Sequence, residues 1–101
     1  MPPVARGKGK DSVKTNHGCT AMTKTSDFST NVIVNSIGVH RKSDKNAVHT
    51  YKVGDNCPSH QTAVSVGSIT VFANSLGVAR IGDKYTGGEE VNSGSSNVFS
   101  G

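Results

Sequence analysis

The chain has 101 residues, of which 33% are hydrophobic and 5% aromatic, so it suits one domain with a thin apolar core. A metal, a disulfide or a partner surface has to supplement such a core. The net charge of +4 is a mild excess without a nucleic-acid recognition pattern, and no apolar run approaches the ~20 residues that cross a bilayer.

The N-terminal stretch MPPVARGKGK lacks the apolar segment of a signal peptide. The chain is therefore expected to be made and assembled in the cytoplasm. Its two cysteines, Cys19 and Cys57, are then expected to be free or metal-bound; a Cys19–Cys57 disulfide is the alternative. Four basic residues, Arg6, Lys8, Lys10 and Lys14, make this start a solvated basic arm. Residues 14–27 read as a loop holding His17 and Cys19, both expected to be exposed.

Residues 31–45 form a strand, a turn and a return strand, and residues 70–84 repeat them with an offset of 39. The two copies agree at eight of fifteen positions, from Val32/Val71 to Lys45/Lys84. In the second copy Thr70–Ala73 is the strand, Asn74–Gly77 the turn and Val78–Ile81 the return. Between the copies, residues 45–64 read as an irregular, turn-rich loop. Residues 82–96 are a glycine-rich turn segment with no phosphate-cradle pattern. The end, GSSNVFSG, matches the opening of the second copy, GSITVFAN, and Pro3–Arg6 matches its Gly77–Arg80. Three units permuted through the termini account for this order. Abundant Gly, Ser, Thr and Asn, with no helical apolar stripe, make the expected fold class mostly β, built of short hairpins with little helix.

The copies differ where chemistry enters. Where the second has Ala79 the first has His40, and His49, Cys57 and His60 follow in its loop. The loop after the second copy, KYTGGEEV, contains neither His nor Cys. Clustering of these residue types in one copy points to a closed site of three imidazoles and one thiolate: His40, His49, Cys57 and His60. Zn²⁺ suits such a set, with iron as the alternative ion. Incidental loop residues are the competing reading. A site closed by four protein ligands is structural, whereas a metalloenzyme needs an open position. No nucleophile elbow or P-loop is present, so no enzyme activity is expected. Arg6, Arg41 and Arg80 recur at one repeat position and are expected either to bridge units or to be exposed. Among the acids Asp27, Asp44, Asp55, Asp83, Glu89 and Glu90, three Asp occupy turn-like positions, where a carboxylate commonly bonds nearby backbone N–H groups.

Pro3-Val4-Ala5-Arg6, Gly38-Val39-His40-Arg41 and Gly77-Val78-Ala79-Arg80 resemble the signature of the PAAR-repeat proteins, named for a Pro-Ala-Ala-Arg motif. The likeness covers essentially the whole chain. Its first unit departs from the family pattern with ARGKGKD, and its middle unit has Lys42-Ser43-Asp44 without the usual glycine. The resemblance implies a small cone of hairpins with pseudo-threefold symmetry, seated on the blunt end of a trimeric β-helical spike. Such spikes belong to contractile phage tails and type VI secretion systems. It also implies an apical metal held by three His and one Cys, matching His40, His49, Cys57 and His60 and leaving out His17 and Cys19. One tip per trimer, a place at the baseplate of a virion tail, and transient contact with a target envelope while piercing it are the corresponding expectations. The chain stops at Gly101, directly after the last strand, which tilts the expectation toward a plain phage tip over a secretion tip. The reading from a different class is a small zinc-stabilised nucleic-acid-binding module using the basic arm.

Overall fold

The three Val-x-Arg segments close on one another. In the computed structural model, which describes residues 1–101, Arg6 bridges Val39, Arg41 bridges Val78 and Arg80 bridges Val4. The central residues complete the ring through their backbones. His40 N donates to Ala5 O (3.0 Å), Ala79 N to His40 O (2.8 Å) and Ala5 N to Ala79 O (2.8 Å). Three segments far apart in sequence thus satisfy one another's polar groups, as buried backbone must.

Each segment continues a hairpin. Ile33–Val34 (β3) pairs with Ile37–Gly38 (β4), and Phe72–Ala73 (β7) pairs with Leu76–Gly77 (β8). Asn35 and Ser36 turn the first hairpin, Asn74 and Ser75 the second, all at φ between 53° and 69°. Two left-handed residues in a two-residue loop are the signature of a type I′ turn. The turn is thus tighter than the four residues expected, and Leu76 and Gly77 belong to the return strand. The third hairpin is split between the chain ends: Phe99 bridges Pro3 as Phe72 pairs with Gly77. Ser100 N donates to Pro2 O (3.0 Å).

Side chains repeat the threefold pattern. Ser29, Ser68 and Ser95 each accept on Oγ from the backbone N–H groups two and three residues on. Arg6, Arg41 and Arg80 grip Asp11, Asp44 and Asp83 with forked contacts of 2.8–3.0 Å. Arg6 and Arg41 also reach Asn35 and Asn74 of the neighbouring hairpins, so these two bridge units. Asp44 and Asp83 accept from the N–H of Arg41 and Arg80, as their turn positions require.

The remaining strands hang from this ring. Ser12–Lys14 (β1), Met22–Lys24 (β2) and Glu90–Val91 (β9) form an antiparallel sheet in the order β2-β1-β9. His49–Thr50 (β5) pairs with Ser59–His60 (β6) as the root of an arm whose residues 52–59 are all exposed. Segments 14–27 and 45–64 therefore carry short strands within what reads as loop. Strands of two or three residues are too short to show period-two alternation. There is no helix, and the molecule measures 41 × 23 × 22 Å.

The apolar core is as thin as composition requires. One cluster joins Ala5, Val13, Val64, Ala79, Tyr85 and Val91; a second joins Val4, Val39, Ala73 and Val78. Buried polar and charged residues outnumber the buried apolar ones. Hydrogen bonds and ion pairs consequently carry much of the internal order.

Candidate metal centre

Four side chains from three parts of the chain meet at one point. His17 follows β1, His49 and His60 face each other across the β5–β6 pair, and Glu89 precedes β9. Their ligand atoms all lie within 4.8 Å of one another. Glu89 Oε2 is 2.7 Å from His49 Nε2, 3.0 Å from His60 Nε2 and 3.2 Å from His17 Nε2. His60 Nε2 is 2.8 Å from His49 Nε2 and 3.3 Å from His17 Nε2.

Protons alone satisfy this arrangement poorly. If every Nε2 donated to Oε2, the hydrogens of His49 and His60 would face each other across 2.8 Å. His49 Nδ1 lies 2.9 Å from Ala47 O, where only a donor fits, so the neutral ring turns its Nε2 lone pair inward. A cation resolves the conflict. Ligands at the ~2.0–2.1 Å of a tetrahedral zinc site stand roughly 3.3 Å apart, inside the range from 2.7 Å to the 4.8 Å that bounds the cluster. The cluster can therefore hold a metal ion.

Charge and burial agree with that. Burial favours the neutral acid of Glu89, but donors around it outweigh this and hold its pKa below the ordinary carboxylate value. Burial, followed by the neighbouring His49, lowers the pKa of His60 and favours its neutral form. One anionic and at least one neutral donor are the forms that bind metal. Glu89 and His49 are buried, while His17 and His60 keep an exposed edge under Tyr51, whose ring stacks on His60 at 4.1 Å. Glu89 Oε1 is buried with no hydrogen-bond partner. Gly87 leaves room for the carboxylate: a Cβ there would lie 2.5 Å from Oε1.

This corrects the ligand set expected from sequence. His49 and His60 converge as expected, but His17 and Glu89 complete the group in place of His40 and Cys57. Cys57 is bonded to Cys19, so its sulfur is no longer a thiolate donor, and neither cysteine is free. The disulfide ties the His17 loop to the β5–β6 arm. Asn16 and Cys19 both adopt left-handed backbone, at φ 57° and 75°, which folds that loop back on itself. His40 is fully buried elsewhere, its Nδ1 2.7 Å from Asp27 O and its Nε2 2.7 Å from Tyr85 Oη. With both nitrogens committed it has none to offer an ion. Glu89 lies in KYTGGEEV, the loop with neither His nor Cys, and its carboxylate is the donor-type signal that the sequence offers there.

Comparisons with models of known protein families and with curated proteins find no match to this chain.

Proposed function

We propose that the protein is a non-enzymatic tip that caps a trimeric β-helical spike of a contractile injection machine, such as a phage tail, and is stiffened by a metal ion. The observation that carries this reading is the cyclic closure of its three Val-x-Arg segments. A monomer with this pseudosymmetry can meet three identical chain ends at once.

The surface of the ring supports the partner. Ile33, Phe72 and Phe99 occupy equivalent hairpin positions and are 53%, 58% and 48% exposed. Val32 and Val71 flank them, also exposed. Apolar side chains left in water at three equivalent positions suit a threefold partner surface better than a small ligand. Such a partner also covers strand edges that would otherwise be open to aggregation. The metal set supports the stiffening role. Three imidazoles and a carboxylate fill a four-coordinate site, and Zn²⁺ is the ion that best matches three nitrogens and one oxygen in a tetrahedron. Piercing an envelope is then mechanical and needs no catalysis.

Co-expression with a trimeric β-helical spike protein, followed by native mass spectrometry, tests the reading. One copy of this chain per spike trimer is expected, with one metal ion per copy. Phe72→Asp and Phe99→Asp should each disrupt the complex while leaving the melting temperature of the isolated tip within a few degrees. A stable tip with intact faces that binds no spike overturns the assignment.

A further inference from the structure

His40 breaks the symmetry of the ring. At the two equivalent positions the chain carries Ala5 and Ala79, so the backbone accepts a methyl group there without loss of closure. A buried imidazole is costly unless both nitrogens are satisfied. His40 meets that requirement through Asp27 O on one side and Tyr85 Oη on the other. Asp27 O is a backbone carbonyl and can only accept a hydrogen bond. His40 Nδ1–H therefore donates to Asp27 O, and its Nε2 accepts from Tyr85.

Tyr85 also opens the turn that carries Glu89. Its N–H donates to Glu89 O (2.8 Å), and Gly88 N–H donates to Tyr85 O (3.0 Å). The turn is thus closed from Tyr85 to Glu89. Beyond its three imidazole contacts, the Glu89 carboxylate has an unpartnered Oε1, so the placement of the turn strongly governs where Oε2 sits.

We propose that His40 is a positioning residue for the metal centre: through the Tyr85 hydroxyl it fixes the turn bearing Glu89 and links the hairpin ring to the ion. This rests on the reading of His17, His49, His60 and Glu89 as metal ligands. It also gives the one imidazole in the ring a role that ring closure alone does not require.

The test uses Co²⁺ as the probe, with the full chain and its disulfide intact. Affinity is measured by chelator competition and geometry by visible absorption. The variants are His40→Ala, Tyr85→Phe, their combination, and His40→Gln, which retains an acceptor and a donor. His40→Ala and Tyr85→Phe should each weaken Co²⁺ about tenfold or more, the range seen when outer partners of metal ligands are removed. The double variant should be no weaker than the worse single one, and His40→Gln should recover part of the loss. A purely structural role would lower the melting temperature of the metal-free protein while leaving the affinity and spectrum of the folded fraction unchanged. That result overturns the proposal, as do additive losses in the double variant. Should His40→Ala fail to fold, Tyr85→Phe, which removes one oxygen, decides alone. If the unaltered chain binds no Co²⁺, the metal reading itself fails, an outcome distinct from normal binding that the variants leave unchanged.

Discussion

Glu89 shows how a single side chain depends on a neighbour that has none. Gly87 does not have positive φ, so its backbone would tolerate alanine, and what forbids a Cβ is the space filled by the Glu89 carboxylate (2.5 Å) and by the methyl of Thr62 (2.9 Å). Gly87→Ala should therefore weaken metal binding about tenfold with little change in metal-free stability, read by chelator competition and thermal melting. His40 gives a pH prediction. Burial lowers its folded pKa, opposed by Asp27 and Asp44 and aided by Arg41. Above an unfolded value of about 6.5 both states are neutral and pH has no effect through this group. Below it, the unfolded chain takes up a proton that folded His40 refuses, so stability falls with decreasing pH by up to ~1.4 kcal/mol per unit until the folded pKa is reached. His40→Gln should remove that one-proton slope. Urea titrations of both metal-free proteins between pH 7.5 and 5 measure the difference; parallel curves would count against a neutral buried His40.

At the scale of elements, β5–β6 and the His17 loop have few apolar contacts of their own. Cross-links hold them instead: the Cys19–Cys57 bond, Asn16 on Gly88 O, and the histidine cluster. The disulfide spans 38 residues, which on chain-entropy grounds stabilises the fold by roughly 4 kcal/mol. Cys19→Ser with Cys57→Ser should therefore lose several kcal/mol in denaturant titration. It should also weaken metal binding, because His17 sits two residues from the bond. This pairing is the alternative to the free or metal-bound cysteines expected from sequence; the His17 loop and the β5–β6 arm lie side by side, with the two Cα atoms 6.1 Å apart. The hairpins are the opposite case. Asn35 and Asn74 are local turn signals, legible because turn chemistry depends on adjacent residues, while the closing of each turn at Ser36 or Ser75, with the next two residues already in the return strand, was not.

For the whole molecule, the thin core sets how much an ion in the His–Glu cluster would matter. Small domains are only marginally stable, by roughly 5–15 kcal/mol, so a structural zinc site, with ~10–16 kcal/mol of apparent binding free energy, would be comparable to the whole. Chelation should thus lower the melting temperature by well over ten degrees, and Zn²⁺ should restore it; a melting curve indifferent to metal would speak against a stiffening role. Triplication, the split third hairpin and the mostly-β class were readable in the order of residues, because each copy folds by the same local rules. The Arg–Asp clamps were half legible: their recurrence at Arg6, Arg41 and Arg80 was plain, but Asn35 and Asn74 as cross-unit partners were not.

The amino-acid sequence by itself determined the three repeated hairpins and the one copy whose motif carries an imidazole, His40, since strand, turn and motif are encoded within about fifteen contiguous residues. Tertiary structure alone decided which of those side chains meet. His40 meets Tyr85, Cys57 meets Cys19, and the pairing of β1 with β9 brings His17 and Glu89, 72 residues apart, to the same atoms. Ligand convergence is a property of distance in space, and spacing along one copy does not record how a second copy folds against it.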